Sequence, residues 1–172
     1  MNKTKILSIP RVNVATLIQF LALWGIATGA TLLLSHSQII TGPIVNATLF
    51  LTVILLGTES AIMVGLVPSL IALSAGLLPP VLAPIVPFIM MGNTILILVF
   101  SYLRKGNFWA GIISASILKF LFLHYTIAVV INLLLKKEVA SKVALMMSWP
   151  QLLTALVGGI LAYLFLKSVK KI

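Results

Sequence analysis

The stretch VPFIMMGNTILILVFSYLRKGNFWAGIISASILKFLF, residues 86 to 122, contains two long apolar runs separated by the polar residues Arg104, Lys105, Gly106 and Asn107. A helix that crosses a bilayer needs ~20 apolar residues at ~1.5 Å each, and both runs can supply that length once their flanks are included. Backbone polar groups in hydrocarbon must pair within their own segment, so two such runs joined by a basic tetrapeptide are a transmembrane helical hairpin. Within the apolar runs stand an amide, Asn93, and an amine, Lys119. Both are costly in lipid and need a structural or functional reason.

The rest of the chain extends the same pattern. Its 172 residues are 61% hydrophobic and only 8% charged, with a mean hydropathy of +1.23, outside the range of ordinary soluble domains. The formal net charge of +10 raises nucleic acid as a partner. The distribution argues against it, because the basic residues mostly cluster between apolar runs, where membrane proteins keep topology signals. The chain has no cysteine, which excludes disulfides, thiolate metal sites and cysteine nucleophiles. The start, MNKTKILSIPRVNV, is basic but lacks a small-residue cleavage site after a short apolar core, so the first apolar run is expected to be a retained helix.

Six spans are expected, at about 14 to 34, 43 to 57, 60 to 77, 84 to 103, 107 to 134 and 145 to 167. Gly57, Thr58, Glu59 and Ser60 form the polar break between the second and third, and the prolines of LLPPVLAP predict a turn between the third and fourth. With the N-terminus inside, the cytoplasmic side receives Lys3, Lys5, Arg11, Arg104, Lys105, Lys167, Lys170 and Lys171. The outer side receives only Lys136, Lys137 and Lys142. The expected fold is therefore an all-α, polytopic bundle of six transmembrane helices, one domain over 1–172, with both termini cytoplasmic. Its place is the cell membrane.

Counting from the helix ends puts Asn46 one turn into span two and Asn93 ~13 Å into span four, near the midplane. Along span five, Lys119 lies ~18 Å and His124 ~25 Å from the inner end. Gln151 falls in the first turns of span six beside Trp149, and His36 in the outer loop SHSQIITG. These groups lie at or outside the midplane, which points to a pocket opening outward. Trp24 is too deep for an interfacial belt and belongs either to the core or to that pocket. Asn93 and Asn46 also have a second reading, as interhelical hydrogen bonds, which the position of Asn46 near the interface favours. Lys119 and His124 are five positions apart, ~140° around the helix, and need not face the same way.

Small residues form another pattern: Ala15, Ala22, Gly25 and Gly29 in span one, and Ala155, Gly158, Gly159 and Ala162 in span six. Such residues let helix backbones approach closely, within the chain or against a partner. A phosphate-binding glycine loop, a His-Glu-x-x-His motif and a mid-membrane carboxylate are all missing from the sequence. Binding is better supported than chemistry: no enzymatic activity, no resident metal and no bound cofactor are expected.

The segments ITGPIVNATLFLTVILLG (40 to 57), AIMVGLVPSLIALSAGLLPP (61 to 80) and VPFIMMGNTILILVFSYL (86 to 103) resemble the substrate-binding S component of energy-coupling factor transporters. The resemblance extends over essentially the whole chain. It implies a subunit that captures a vitamin or related organic micronutrient on the outer side. Delivery inward would depend on a transmembrane coupling subunit and two cytoplasmic ATPases, which consume the ATP, with toppling of the S component carrying the ligand. Positionally, the resemblance places His36 and Gln38 in a lid, Asn93 in span four, Lys119 and His124 in span five, and Trp149 and Gln151 in span six. Lys119 would suit a carboxylate or phosphate, the amides a polar edge, and Trp24 or Trp149 a ring. Members of the family often dock their partner through alanines four apart in the first span. Here Gln19 follows Ala15 at that spacing, so Gly25 with Gly29, or the seam Ala15, Ala22, Gly29, would serve instead. Nickel and cobalt members begin Met-His, whereas this chain begins Met1, Asn2, Lys3, which favours an organic ligand. The competing readings are a structural or assembly subunit of a larger membrane complex and a small standalone secondary transporter.

Overall fold

A computed structural model describes residues 13–34, 37–76, 80–134, 144–145 and 147–172. Six long helices account for most of them: α1 (Val14–Leu33), α2 (Gln38–Leu55), α3 (Thr58–Ser74), α4 (Val86–Leu103), α5 (Phe108–Leu134) and α6 (Trp149–Ser168). A 3₁₀ helix, Pro80–Ile85, leads into α4 where a turn is expected from the prolines. Five of the helical segments are long and apolar enough to cross a membrane, and α3 contributes a shorter apolar helix. The all-α polytopic bundle expected from the hydropathy pattern is the fold observed.

Local chemistry sets the boundaries. Asn13 caps α1, its side chain accepting from the Ala15 N–H at 3.0 Å, and Asn107 does the same for Ala110 at the start of α5. Pro87 and Pro150 stand in the first turns of α4 and α6, where a helix has no use for their missing N–H. Gly57 turns the chain between α2 and α3 with a φ of +90°, a conformation that glycine adopts without steric penalty. Thr58 and Glu59, expected before the third span, instead belong with Ser60 to the first turn of α3.

The helices close into a ring. In spatial order they run α1, α2, α6, α5, α4, α3 and back to α1, and α2 also reaches α3 and α4 across the middle. The central position of α2 explains its burial, which is continuous from Asn46 to Phe50 rather than confined to one stripe. Leu49, Phe50, Val53, Leu96, Ile97, Phe100 and Ile112 fill the core beside Ala115, Ala155 and Ala162. An edge-on aromatic run continues from Phe50 through Phe100 to Phe108.

Small residues set how closely the helices approach, since lipid gives apolar side chains little reason to leave it. A Cβ on Gly158 of α6 would lie 2.7 Å from Asn46 Cβ and 2.8 Å from the Ala47 nitrogen. One on Gly92 of α4 would meet the Leu123 side chain of α5 at 3.1 Å. The small residues of α6 are therefore packing contacts inside the bundle. Those of α1 differ: Ala15, Ala22 and Gly25 are exposed, and neither Gly25 nor Gly29 would bring a Cβ within 4 Å of another part of the chain.

Candidate functional site

The helix that carries Asn46 begins five residues earlier than the span expected from sequence. Gln38 opens α2, and Pro43 is accommodated inside the helix. Two corrections follow. Gln38 is the first residue of α2 rather than a residue of the loop before it, and His36 lies outside the described residues. Asn46 is not one turn deep: at ~1.5 Å per residue it lies ~12 Å along α2, almost level with Asn93 at ~10 Å along α4.

At that level, side chains from three helices meet. Lys119 of α5 directs Nζ at Oδ1 of Asn46, 2.7 Å away, and at Oδ1 of Asn93, 2.8 Å away. Asn93 in turn donates from Nδ2 to the backbone carbonyl of Gly65 on α3, at 3.0 Å. Lys119, Asn46 and Asn93 are all buried, at 3%, 2% and 4% exposure. Four helices thus share one polar node in the middle of an apolar bundle.

Each member is placed by a local reason. Asn93 meets Gly65 where α3 packs closely on its neighbours: a Cβ on Gly65 would lie 3.1 Å from Ile97 and 3.3 Å from Leu49, with Asn93 Cβ at 3.5 Å. Asn46 is held against α6 at Gly158, where only hydrogen fits. Lys119 shares the buried face of α5 with Ile112, Ala115, Ser116 and Leu123, so its stem lies in the core and its amine crosses the interior. With Gly65 O taken by Nδ2, the orientation of the Asn93 amide is fixed, and its oxygen is presented to the amine.

The electrostatics are one-sided. Both acceptors of Lys119 are neutral amides, at lengths usual for charge-assisted bonds. Glu59, the acid among the described residues, is exposed in the first turn of α3 and pairs with none of these groups. A buried ammonium normally finds a counter-charge, and the node offers Lys119 fixed geometry without one. The hydroxyl of Ser116, one turn before Lys119 on the same face, is buried without a hydrogen-bond partner among the described residues.

The sequence-derived candidates therefore divide. Asn46, Asn93 and Lys119 come together. His124 does not join them: it is exposed, stacked on Phe120 with ring centroids 5.6 Å apart, as the ~140° offset from Lys119 leads one to expect. Trp149 is 56% exposed at the start of α6, which places it at the bundle surface. Gln151 is half-buried with Nε2 3.6 Å from the Met147 sulfur, and it forms no part of the node's hydrogen bonding. Trp24 is half-buried against the apolar core, the first of the two settings open to it. Gly65 was not among the candidates. A backbone carbonyl leaves no mark in a sequence, and the one available signal was a glycine in an apolar helix.

Comparison with family models, with curated proteins and with solved structures finds no match.

Proposed function

We propose that this chain is the substrate-binding membrane subunit of an energy-coupling-factor-type importer. It captures a small organic micronutrient on the outer side of the cell membrane and hands it inward with a coupling subunit and two ATPases. The observation that carries the proposal is the node itself, an amine buried in the bundle whose partners are two neutral amides from other helices. Groups of this kind inside a membrane mark substrate paths more often than they mark stability, because an apolar residue would pack there at lower cost. The exposed Ala15, Ala22 and Gly25 on α1 offer a backbone-close surface for a membrane partner, in keeping with a subunit that works in a complex.

The test is retention of small molecules by the detergent-purified protein, read by mass spectrometry of the denatured eluate. One compound should be retained in near-stoichiometric amount, and Lys119→Ala and Asn93→Ala should each lose it. Equal retention by both variants would place the binding site elsewhere.

A second reading has its own observation. The hydrogen bonds of Lys119 close within the chain, as they do when polar residues only join helices. That reading makes the chain an assembly subunit. It predicts no retained compound and co-purification with a membrane complex unrelated to transport.

A further inference from the structure

We infer that the group recognised at the node is a monoanionic carboxylate, an inference that rests on the binding-subunit reading and narrows its substrate class. The reasoning is an inventory of donors and acceptors. Oδ1 of Asn46, Oδ1 of Asn93 and the Gly65 carbonyl each already accept a hydrogen bond inside the bundle. Each of these oxygens keeps a second lone pair, but the donors still unused are the ones that face outward from the bonds already made. An ammonium has three N–H groups, and Lys119 uses two. The Asn46 amide nitrogen has two more, with no partner among the described residues. Ser116 adds an unpartnered buried hydroxyl one turn away on α5. A ligand group that uses the free N–H groups of Lys119 and Asn46 must accept hydrogen bonds, and Ser116 can meet it as donor or acceptor.

Charge narrows the choice further. With Lys119 protonated, the node holds one positive charge and no carboxylate among the described residues. A monoanion neutralises it, with one carboxylate oxygen on Lys119 and the other on Asn46 Nδ2. A phosphate dianion would leave a net negative charge in the membrane interior, and a neutral amide would leave the ammonium uncompensated. A cationic ligand would add repulsion to an already unpaired cation.

The experiment follows the thermal unfolding of the detergent-purified full chain, dialysed free of small molecules, with matched probes: acetate against acetamide, and benzoate against benzamide and phenyl phosphate. At least one carboxylate should raise the melting temperature, and its amide and phosphate counterparts should not. Lys119→Met should weaken the carboxylate response on the order of 100-fold in half-maximal concentration. Asn46→Asp supplies the missing charge from within and keeps the acceptor that Lys119 already uses. It should raise the melting temperature of the ligand-free protein and abolish the carboxylate response.

A shift with benzamide or phenyl phosphate as large as that with benzoate overturns the inference and leaves the binding-subunit reading standing. If no probe acts and Asn46→Asp lowers the melting temperature, the charge requirement itself is wrong. If no probe acts but Asn46→Asp raises it, the charge requirement holds and the binding-subunit reading fails.

Discussion

Lys119 and Asn46 are 73 positions apart in sequence, yet the lysine Nζ lies 2.7 Å from the asparagine Oδ1. Their helices are not neighbours around the ring, where α6 lies between α2 and α5 on one side and α1, α3 and α4 on the other. A four-carbon stem spans the interior that backbone packing leaves open, so a lysine can tie these helices where a shorter residue would not reach. The tie has a measurable strength. In a cycle of Lys119→Ala, Asn46→Ala and the double variant, followed by thermal unfolding in detergent, the coupling should be about 1 to 3 kcal/mol. The single changes should sum to more than the double, because each leaves a buried polar group without its partner. A coupling of zero would mean that the bond contributes nothing in the folded protein.

Two glycines make a paired prediction. Gly158→Ala places a methyl 2.7 Å from Asn46 Cβ, 2.8 Å from the Ala47 nitrogen and 2.9 Å from the Pro43 carbonyl oxygen. Two of these are backbone atoms, so α2 and α6 must separate, at a cost of about 1 to 3 kcal/mol. Asn46 moves with α2, and ligand retention should fall as well. Gly25→Ala meets nothing within 4 Å and should gain about 0.5 to 1 kcal/mol through helix propensity alone. Unfolding midpoints that move the same way for both variants would contradict the packing described for α6. Loss of co-purification with a membrane partner in Gly25→Leu, with the fold intact, would in turn identify the exposed face of α1 as the docking side.

His124 separates position from chemistry. It is one of only two histidines in the chain and shares a helix with Lys119, so residue type alone gives it equal standing as a ligand contact. The structure turns it outward, stacked on Phe120 and edge-on to Tyr125. His124→Ala should therefore retain ligand within about 2-fold of the parent, whereas Lys119→Ala should lose on the order of 100-fold. Equal losses in titrations of the two variants would mean that the ligand sits on the outer surface of α5.

Much of the architecture is legible in hydropathy because a bilayer imposes one length scale and one rule of backbone pairing. That is why α1, α4 and α5 fall within a residue or two of the spans expected for them. The start of α2 was misplaced for a reason of the same kind. Pro43 resembles a helix boundary, but five residues before it can be helical when the proline merely forgoes one N–H, and the depth of Asn46 follows from that boundary. For the site, residue type and depth were enough to bring Asn46, Asn93 and Lys119 forward. Rotation about the helix axis was not available from them. It depends on which face each neighbour buries, and in lipid polarity does not divide the faces as it does in water. Trp149, Gln151 and His124 were assigned by depth and separated by rotation.

Orientation in the membrane remains a matter of charge, and the sequence makes it simple to test. The basic residues of the short loops stand eight against three in favour of cytoplasmic termini, with Arg104, Lys105 and the Lys167 to Lys171 segment on one side. Because the chain has no cysteine, single cysteines can be introduced on a native background. Lys105→Cys, between α4 and α5, and Lys171→Cys, after α6, replace exposed residues at one end of the bundle. Leu145→Cys replaces a residue that is 60% exposed before α6, at the other end. In intact cells a membrane-impermeant maleimide should label Leu145→Cys and spare the other two, and permeabilisation should expose all three. Asn46 and Asn93 lie ~12 Å and ~10 Å from the Leu145 end of their helices, which makes that end the shorter path to the node. The reverse labelling pattern would turn that shorter path toward the cytoplasm, and capture of a nutrient from outside would have no route to Lys119.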